Sequence, residues 1–238
     1  MTKKHRIALA AGTAALFFTA SATGTTLAGS SAPSYPAMAP VAQYMMAGPA
    51  EEIALARSAA PPSISADAEV LVLGEHGYAT AAKGTNGFVC IVERSWDAGF
   101  NDPEFWNPKI RGADCLNPAA ARSVLPHFRE RASWALAGLS IPEMIARTKA
   151  ELAGNTYTLP ETGAMAFMMS KGQRLSDQSP HWHPHLMFFI ANVKDASWGA
   201  NFSGSPVLSG HGDPDPVTTF FVPIAKWSDG TRDEMHMK

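Results

Sequence analysis

Cysteine is nearly absent. The chain holds two, Cys90 and Cys115, among 238 residues. That excludes a scaffold built on several disulfides, and without any Cys-x-x-Cys it excludes the usual thiolate zinc knuckle and the dithiol redox motif. The pair can close one disulfide or remain two separately buried thiols. Charge is also scarce, at 17% of residues, with a formal net charge of −2. No basic block is present, so neither a nucleic-acid partner nor an anionic membrane surface is expected. After the first twenty residues no apolar run is long enough to span a bilayer. The chain also lacks a Gly-x-Ser-x-Gly nucleophile elbow, a Walker loop, a dinucleotide glycine fingerprint and a His-Glu-x-x-His helix.

What is present begins with an address. Lys3, Lys4 and Arg6 precede an uncharged stretch from Ile7 to Ala20, and small residues follow around Ala22 and Ala28. This is the pattern of a secretory signal peptide over residues 1–28. A periplasmic or secreted protein is therefore expected, without a membrane span once the signal is cleaved. An oxidising compartment also permits the disulfide. Residues 29–48, with Pro33, Pro36 and Pro40, have the composition of a flexible linker. Residues 49–238 are long enough for one domain with a sizeable core.

Within that domain the punctuation is clear. A short helix is predicted over Glu51–Ala59, between Pro49 and Pro61. Glu69–Leu73 is a strand candidate, and four glycines from Gly74 to Gly87 imply a turn or hairpin. Phe88–Val92 is apolar on both faces and reads as a central strand. Residues 97–117 read as a long loop, held down by Phe100, Phe105 and Trp106. Asn117 before Pro118 is an N-cap, Pro126 must interrupt the helix that follows, and Gly138 ends its continuation. Ser140 and Glu143 form a capping box for a helix ending at Gly154. Strands return at Gly163–Met169, through the stretch after His185, and at Thr218–Ile224. Helices in the middle with strands on either side imply a single α+β domain with a mostly antiparallel sheet and the central helical segment packed on it.

The richest chemistry lies at His181, His183 and His185, alternating with Trp182 and Pro184. On a strand, residues two apart share a face, so the three imidazoles would line one surface with Trp182, Pro184 and Leu186 on the other. Neighbouring imidazoles are separated by about 6.6 Å at the backbone, close enough for two of them to share a zinc or another divalent transition metal. The third ligand must come from elsewhere. His211, in Gly-His-Gly-Asp213, is the best placed in sequence, ahead of Asp213, Glu75, His76 and Asp177. Loop histidines also serve simply as solvent-facing or hydrogen-bonded residues. Glu93, at the end of the central strand, is a candidate catalytic carboxylate or a member of an internal ion pair with Arg94. Glu75, beside His76 in a turn, is a second carboxylate candidate. Met168 and Met169 read as core filling.

The stretches Gly87–Trp96, Phe105–Arg111, His181–Phe189 and Trp227–Thr231 together resemble a group of small exported bacterial proteins. The resemblance spans about residues 50–231 and implies an exported bacterial domain. It carries no activity, cofactor or partner across. Three functional classes therefore remain open. The first is a histidine metal site, hydrolytic if one coordination position is open to water. The second is a non-catalytic binding or envelope-associated protein. The third is a metal-free lyase or hydrolase using His and Glu93 as acid and base.

Overall fold

The computed structural model describes residues 35–179 and 182–234. The expected signal peptide and His181 lie outside these residues. Eight strands form one sheet: β1 (Glu69–Gly74), β2 (Gly77–Ala82), β3 (Val89–Glu93), β4 (Gly112–Leu116), β5 (Met165–Met168), β6 (His185–Ala191), β7 (Leu208–His211) and β8 (Val217–Pro223). Their spatial order is β2-β1-β3-β4-β5-β6-β8-β7. Only β1 and β3 run parallel; every other neighbouring pair is antiparallel. This is the α+β architecture that the order of elements implied.

Helices cover both faces, which is why β3 is apolar from Val89 to Val92. On one face α1 (Pro49–Arg57) and the short α2 (Pro62–Ser65) close over Val70, Cys90, Val92, Ala113 and Cys115. On the other face lie α3 (Pro118–Ser123), α4 (Leu125–Leu136) and α5 (Ile141–Ala153). The Asn117 side chain accepts the Ala120 amide at 2.9 Å, and Pro126 sits in the first turn of α4, so one proline both ends α3 and starts its successor. The Ser140 amide donates to Glu143 at 2.7 Å and opens α5 as a capping box.

Three expectations are corrected. The loop read over 97–117 contains a strand, β4, and it stands in the middle of the sheet. The segment read as a linker over 29–48 is packed where it is described: Tyr44 is fully buried, and its hydroxyl donates to the Trp106 carbonyl at 2.8 Å. The histidine strand starts at His185, because Pro184 cannot donate to the ladder and residues 182–184 stay irregular.

Cys90 stands directly opposite Cys115 in the β3–β4 ladder, and their sulfurs are bonded at 2.00 Å. The sequence separation is 25. Replacing both cysteines with alanine should lower unfolding stability by about 3 kcal/mol, the loop-closure entropy lost from the unfolded chain. Urea denaturation with and without reductant would measure it, and the double variant should no longer respond to reductant.

Candidate active site

The β3–β4 register places Ile91 opposite Asp114 and Glu93 opposite Gly112. Glu93 and Asp114 are therefore diagonal neighbours on one face, within reach of each other. A Cβ on Gly112 would come within 3.4 Å of Glu93 Oε2 and 3.2 Å of the Met168 methyl, so a glycine here leaves room for the carboxylate to lie flat on the sheet. Asp114 is completely buried. Among the described residues neither Asp114 oxygen nor Glu93 Oε1 has a hydrogen bond of good geometry, although the Glu93 carboxyl and the Cys115 amide partly offset the burial of Asp114. Burial pushes both carboxyls above the ordinary carboxylate range, and Asp114 raises Glu93 further. Two carboxyls in contact without a cation are most stable when they hold one proton between them.

A third carboxyl stands beside them. Asp97 ends the 3₁₀ turn Ser95–Asp97 and accepts the Arg94 amide through Oδ2 at 3.0 Å. Its Oδ1 is buried without a donor among the described residues. Burial first, and then the charge of Glu93, hold Asp97 above the usual range. Strand alternation sends the next side chain the other way. Arg94 points into the opposite face and pairs with Glu52 of α1 at 2.9 Å, both side chains almost fully buried. The internal ion pair expected at this strand end thus belongs to Arg94 and Glu52, and among the described residues no cation pairs with Glu93.

These carboxyls meet one end of a chamber of about 760 Å³, between the sheet and α4. Glu93 and Asp97 reach its wall, and Asp114 lies behind Glu93. The apolar lining includes Phe128, Met168, Trp182, Met187, Phe189 and Phe221. His185 is also part of the wall. β5 pairs Met168 with His185, and the β4–β5 register carried one step further sets Asp114 beside Met168. Asp114 and His185 are therefore about 10 Å apart at the backbone, two strand spacings.

His185 is 1% exposed. Its Nδ1 is 2.8 Å from the His183 carbonyl, which can only accept, so Nδ1 carries the hydrogen and Nε2 keeps its lone pair. Burial lowers its pKa to about 4 against the opposing pull of that carbonyl. The Trp182 ring lies 4.6 Å from the imidazole and Phe221 5.8 Å. Trp182 therefore shares the side of His185, contrary to the alternation read from sequence. His183 turns elsewhere: its Nδ1 is 2.5 Å from Asp233 Oδ2.

Arg131 ties the chamber's rim together. It donates to the Ala98 carbonyl at 2.6 Å and the Trp96 carbonyl at 3.3 Å, pairs with Asp215, and lies 4.2 Å over the Phe100 ring. Tyr157 donates to Asp215 at 2.9 Å and stacks on His127 at 4.2 Å. Gly99 and Gly212 meet at the rim, where a Cβ on Gly212 would approach the Gly99 Cα to 3.0 Å.

Of the residues singled out from sequence, Glu93, His185 and His211 border the same chamber. His211, at the end of β7, is exposed, with Nδ1 3.8 Å from Asp195. Glu75 and His76 are exposed in the β1–β2 turn at the far edge of the sheet. Asp177 is engaged by Arg174, Lys109 and Tyr35, with the Arg174 hydrogen bond the main cause of a carboxyl held below its usual range. Among the described residues no group of three or more His, Cys, Asp or Glu is gathered as a metal site. Asp97, Asp114, Arg131, Tyr157 and Asp215 were missed. An aspartate inside the otherwise apolar Ala-Asp-Cys-Leu run was the available signal. Comparison with protein-family models, curated proteins and solved structures finds no match.

A carboxyl whose pKa is higher in the folded than in the unfolded chain favours folding at low pH, and that advantage is lost as pH rises through the folded value. Asp114→Asn removes one such group while keeping its shape. The variant should gain roughly 1–3 kcal/mol over the parent at pH 8.5, the cost of an unsatisfied buried acid, and the gain should shrink toward pH 4.5. Thermal unfolding across that range measures the difference.

Proposed function

We propose that this chain is an exported acid–base enzyme, a hydrolase or lyase acting on a small organic molecule held in the chamber against the sheet. The observation that carries the reading is the pairing of opposites in one chamber. Glu93 belongs to a carboxyl pair that retains a proton, and His185 is an imidazole that stays neutral with Nε2 unengaged. Environments that drive two titratable groups apart in this way mark acid and base roles.

In this reading His185 Nε2 accepts a proton from the substrate or from an attacking water. Glu93 donates its proton to the departing oxygen or nitrogen. Asp114 is a positioning residue that keeps Glu93 protonated at neutral pH. The hydrogen bond from His185 to the His183 carbonyl fixes the tautomer that the base needs, and Asp233 anchors His183 in turn. A chamber of this size with aromatic walls matches a small-molecule site. The basic and then apolar amino-terminal segment and the Cys90–Cys115 disulfide support an oxidising, exported setting.

A panel of uncharged esters, amides and glycosides should include a substrate whose turnover falls about 100-fold or more in Glu93→Gln, the usual contribution of a positioned general acid. His185→Gln should cost a similar factor and remove the acidic limb of the pH profile. Imidazole NMR should find His185 neutral down to about pH 4. Full activity in Glu93→Gln overturns the assignment. So does stoichiometric zinc or another divalent ion in untagged protein that is lost in His183→Ala, because the histidine metal site would then hold the chemistry.

A further inference from the structure

The ionisable groups of the chamber are paired, kept from ionising, or open to water. Arg131 is held by Asp215 and two backbone carbonyls, and Arg94 turns to the opposite face against Glu52. Asp215 also accepts the Tyr157 hydroxyl. Glu104 accepts from Asn107 and from the Asp177 amide. His127 Nε2 lies 2.7 Å from the Thr158 carbonyl. Burial pushes Glu93 and Asp97 above the ordinary carboxylate range. Asp102 and His211 are exposed, where water weakens any charge they carry. Neutral polar groups share the same lining. Asn101, Gln178 and Thr219 bring donors and acceptors, and Trp182 brings an indole N–H. Ser95 adds a hydroxyl whose oxygen is buried and unpartnered among the described residues.

This inventory discriminates between ligand classes. An anion finds both guanidinium groups engaged and carboxyls around it. An ammonium must ionise Glu93 or Asp97 to gain a partner, against the burial that keeps them neutral, and in doing so removes the general acid. An uncharged ligand disturbs neither group. Its apolar body suits the rings of Phe128, Phe189 and Phe221 and the thioether of Met187. Its head must serve two separated partners. Glu93, still protonated, donates, and His185 Nε2 accepts because its N–H is spent on the His183 carbonyl. The Glu93 carboxyl leans over Gly112 of β4. From there the backbone of His185 is two strand spacings across and two residues along, roughly 12 Å. Two hydrogen bonds to a single atom span only about 6 Å. A carboxamide, with acceptor and donor on different atoms, reaches farther than a hydroxyl.

We propose that the chamber selects uncharged carboxamides with an apolar body, the head lying between Glu93 and His185 and the body along the floor of Met187 and Phe189. The inference rests on the acid–base reading of the same site and names its substrate class. Hydrolysis then adds water across the carbonyl–nitrogen bond. His185 takes one proton of the water, the water oxygen bonds to the carbonyl carbon, and the bond to nitrogen breaks as Glu93 protonates the leaving nitrogen. Proton transfer through solvent from His185 to Glu93 restores the starting state. The products, a carboxylic acid and ammonia or an amine, exchange a proton and become an anion and a cation. Those are the two classes that the chamber disfavours, so the chemistry itself promotes release.

The test is calorimetric titration of the full chain at pH 7 with three probes of matched size: phenylacetamide, phenylacetate and 2-phenylethylamine. The amide should bind about tenfold or more tightly than either ion, because each ion gives up hydration without gaining a free partner. Phe189→Ala should weaken the amide about tenfold by opening the floor, and Phe221→Leu is a second variant should the first fail to fold. Glu93→Gln should bind the amide within about threefold of the parent, since a protonated carboxyl and a carboxamide both donate and accept, while losing turnover measured as ammonia release. An ion that binds as tightly as the amide, an amide that shows no saturable binding, or an amide indifferent to the floor variants overturns the proposal. Turnover separates the two readings. A charged probe that binds best, with Glu93→Gln still cutting turnover of the best panel substrate about 100-fold, sinks only the substrate class. Amide preference with full activity in Glu93→Gln sinks the acid–base reading.

Discussion

A carboxyl group removed from water must find a cation, find donors, or keep its proton. Among the described residues the β3–β4 register gives Glu93 and Asp114 no paired cation and little donation, with the Cys115 amide a weak help to Asp114. It sets them diagonally on one face, under helices that exclude solvent, and strand alternation carries Arg94, the nearest guanidinium in sequence, through to the other side. There Arg94 satisfies Glu52 and backbone carbonyls instead. The next cation, Arg131, is drawn to the rim by Asp215 and the Ala98 carbonyl. A carboxyl pair pushed toward keeping a proton is the result, and it needs no special group to enforce it.

The histidine side of the chamber is built by the complementary logic. A buried imidazole is cheaper neutral than charged, and a carbonyl at Nδ1 decides which nitrogen holds the hydrogen. Glu93, pushed toward keeping a proton, and His185, pushed toward staying neutral, then border the same chamber. Neither would behave so in water. Both effects trace to the same exclusion of solvent by α4, Trp182 and the sheet.

Much of the framework was legible because its signals are local. Asn117, Pro118, Pro126 and Gly138 bracket two helices, Ser140 and Glu143 start a third, and the apolar run at Cys90 marks a central strand. β4 was not legible. Gly112 and Asp114 break its alternation, and it follows a stretch of prolines and aromatics that reads as loop. Without β4, Asp114 had no face and Glu93 no neighbour, so the heart of the site stayed hidden although Glu93 itself had been picked out. The four residues of β7 were lost in the same way among Gly, Ser and Pro. In the histidine stretch the period of two was extended past Pro184, where no ladder can form. Tyr44 lay in a segment whose Pro and Ala content resembles a linker, and its burial depends on distant partners, the Trp106 carbonyl, the Trp96 ring and Arg94.

The disulfide lies on the reverse side of the same two strands. Cys90 and Cys115 adjoin Ile91 and Asp114 in the ladder, so the bond fastens the sheet immediately behind the acids. A slip of one residue between β3 and β4 would turn one strand's whole set of side chains to the other face and part the two carboxyls. The covalent link forbids that slip. The redox state of the surroundings is thereby written into the alignment of a carboxyl pair that contains no sulfur.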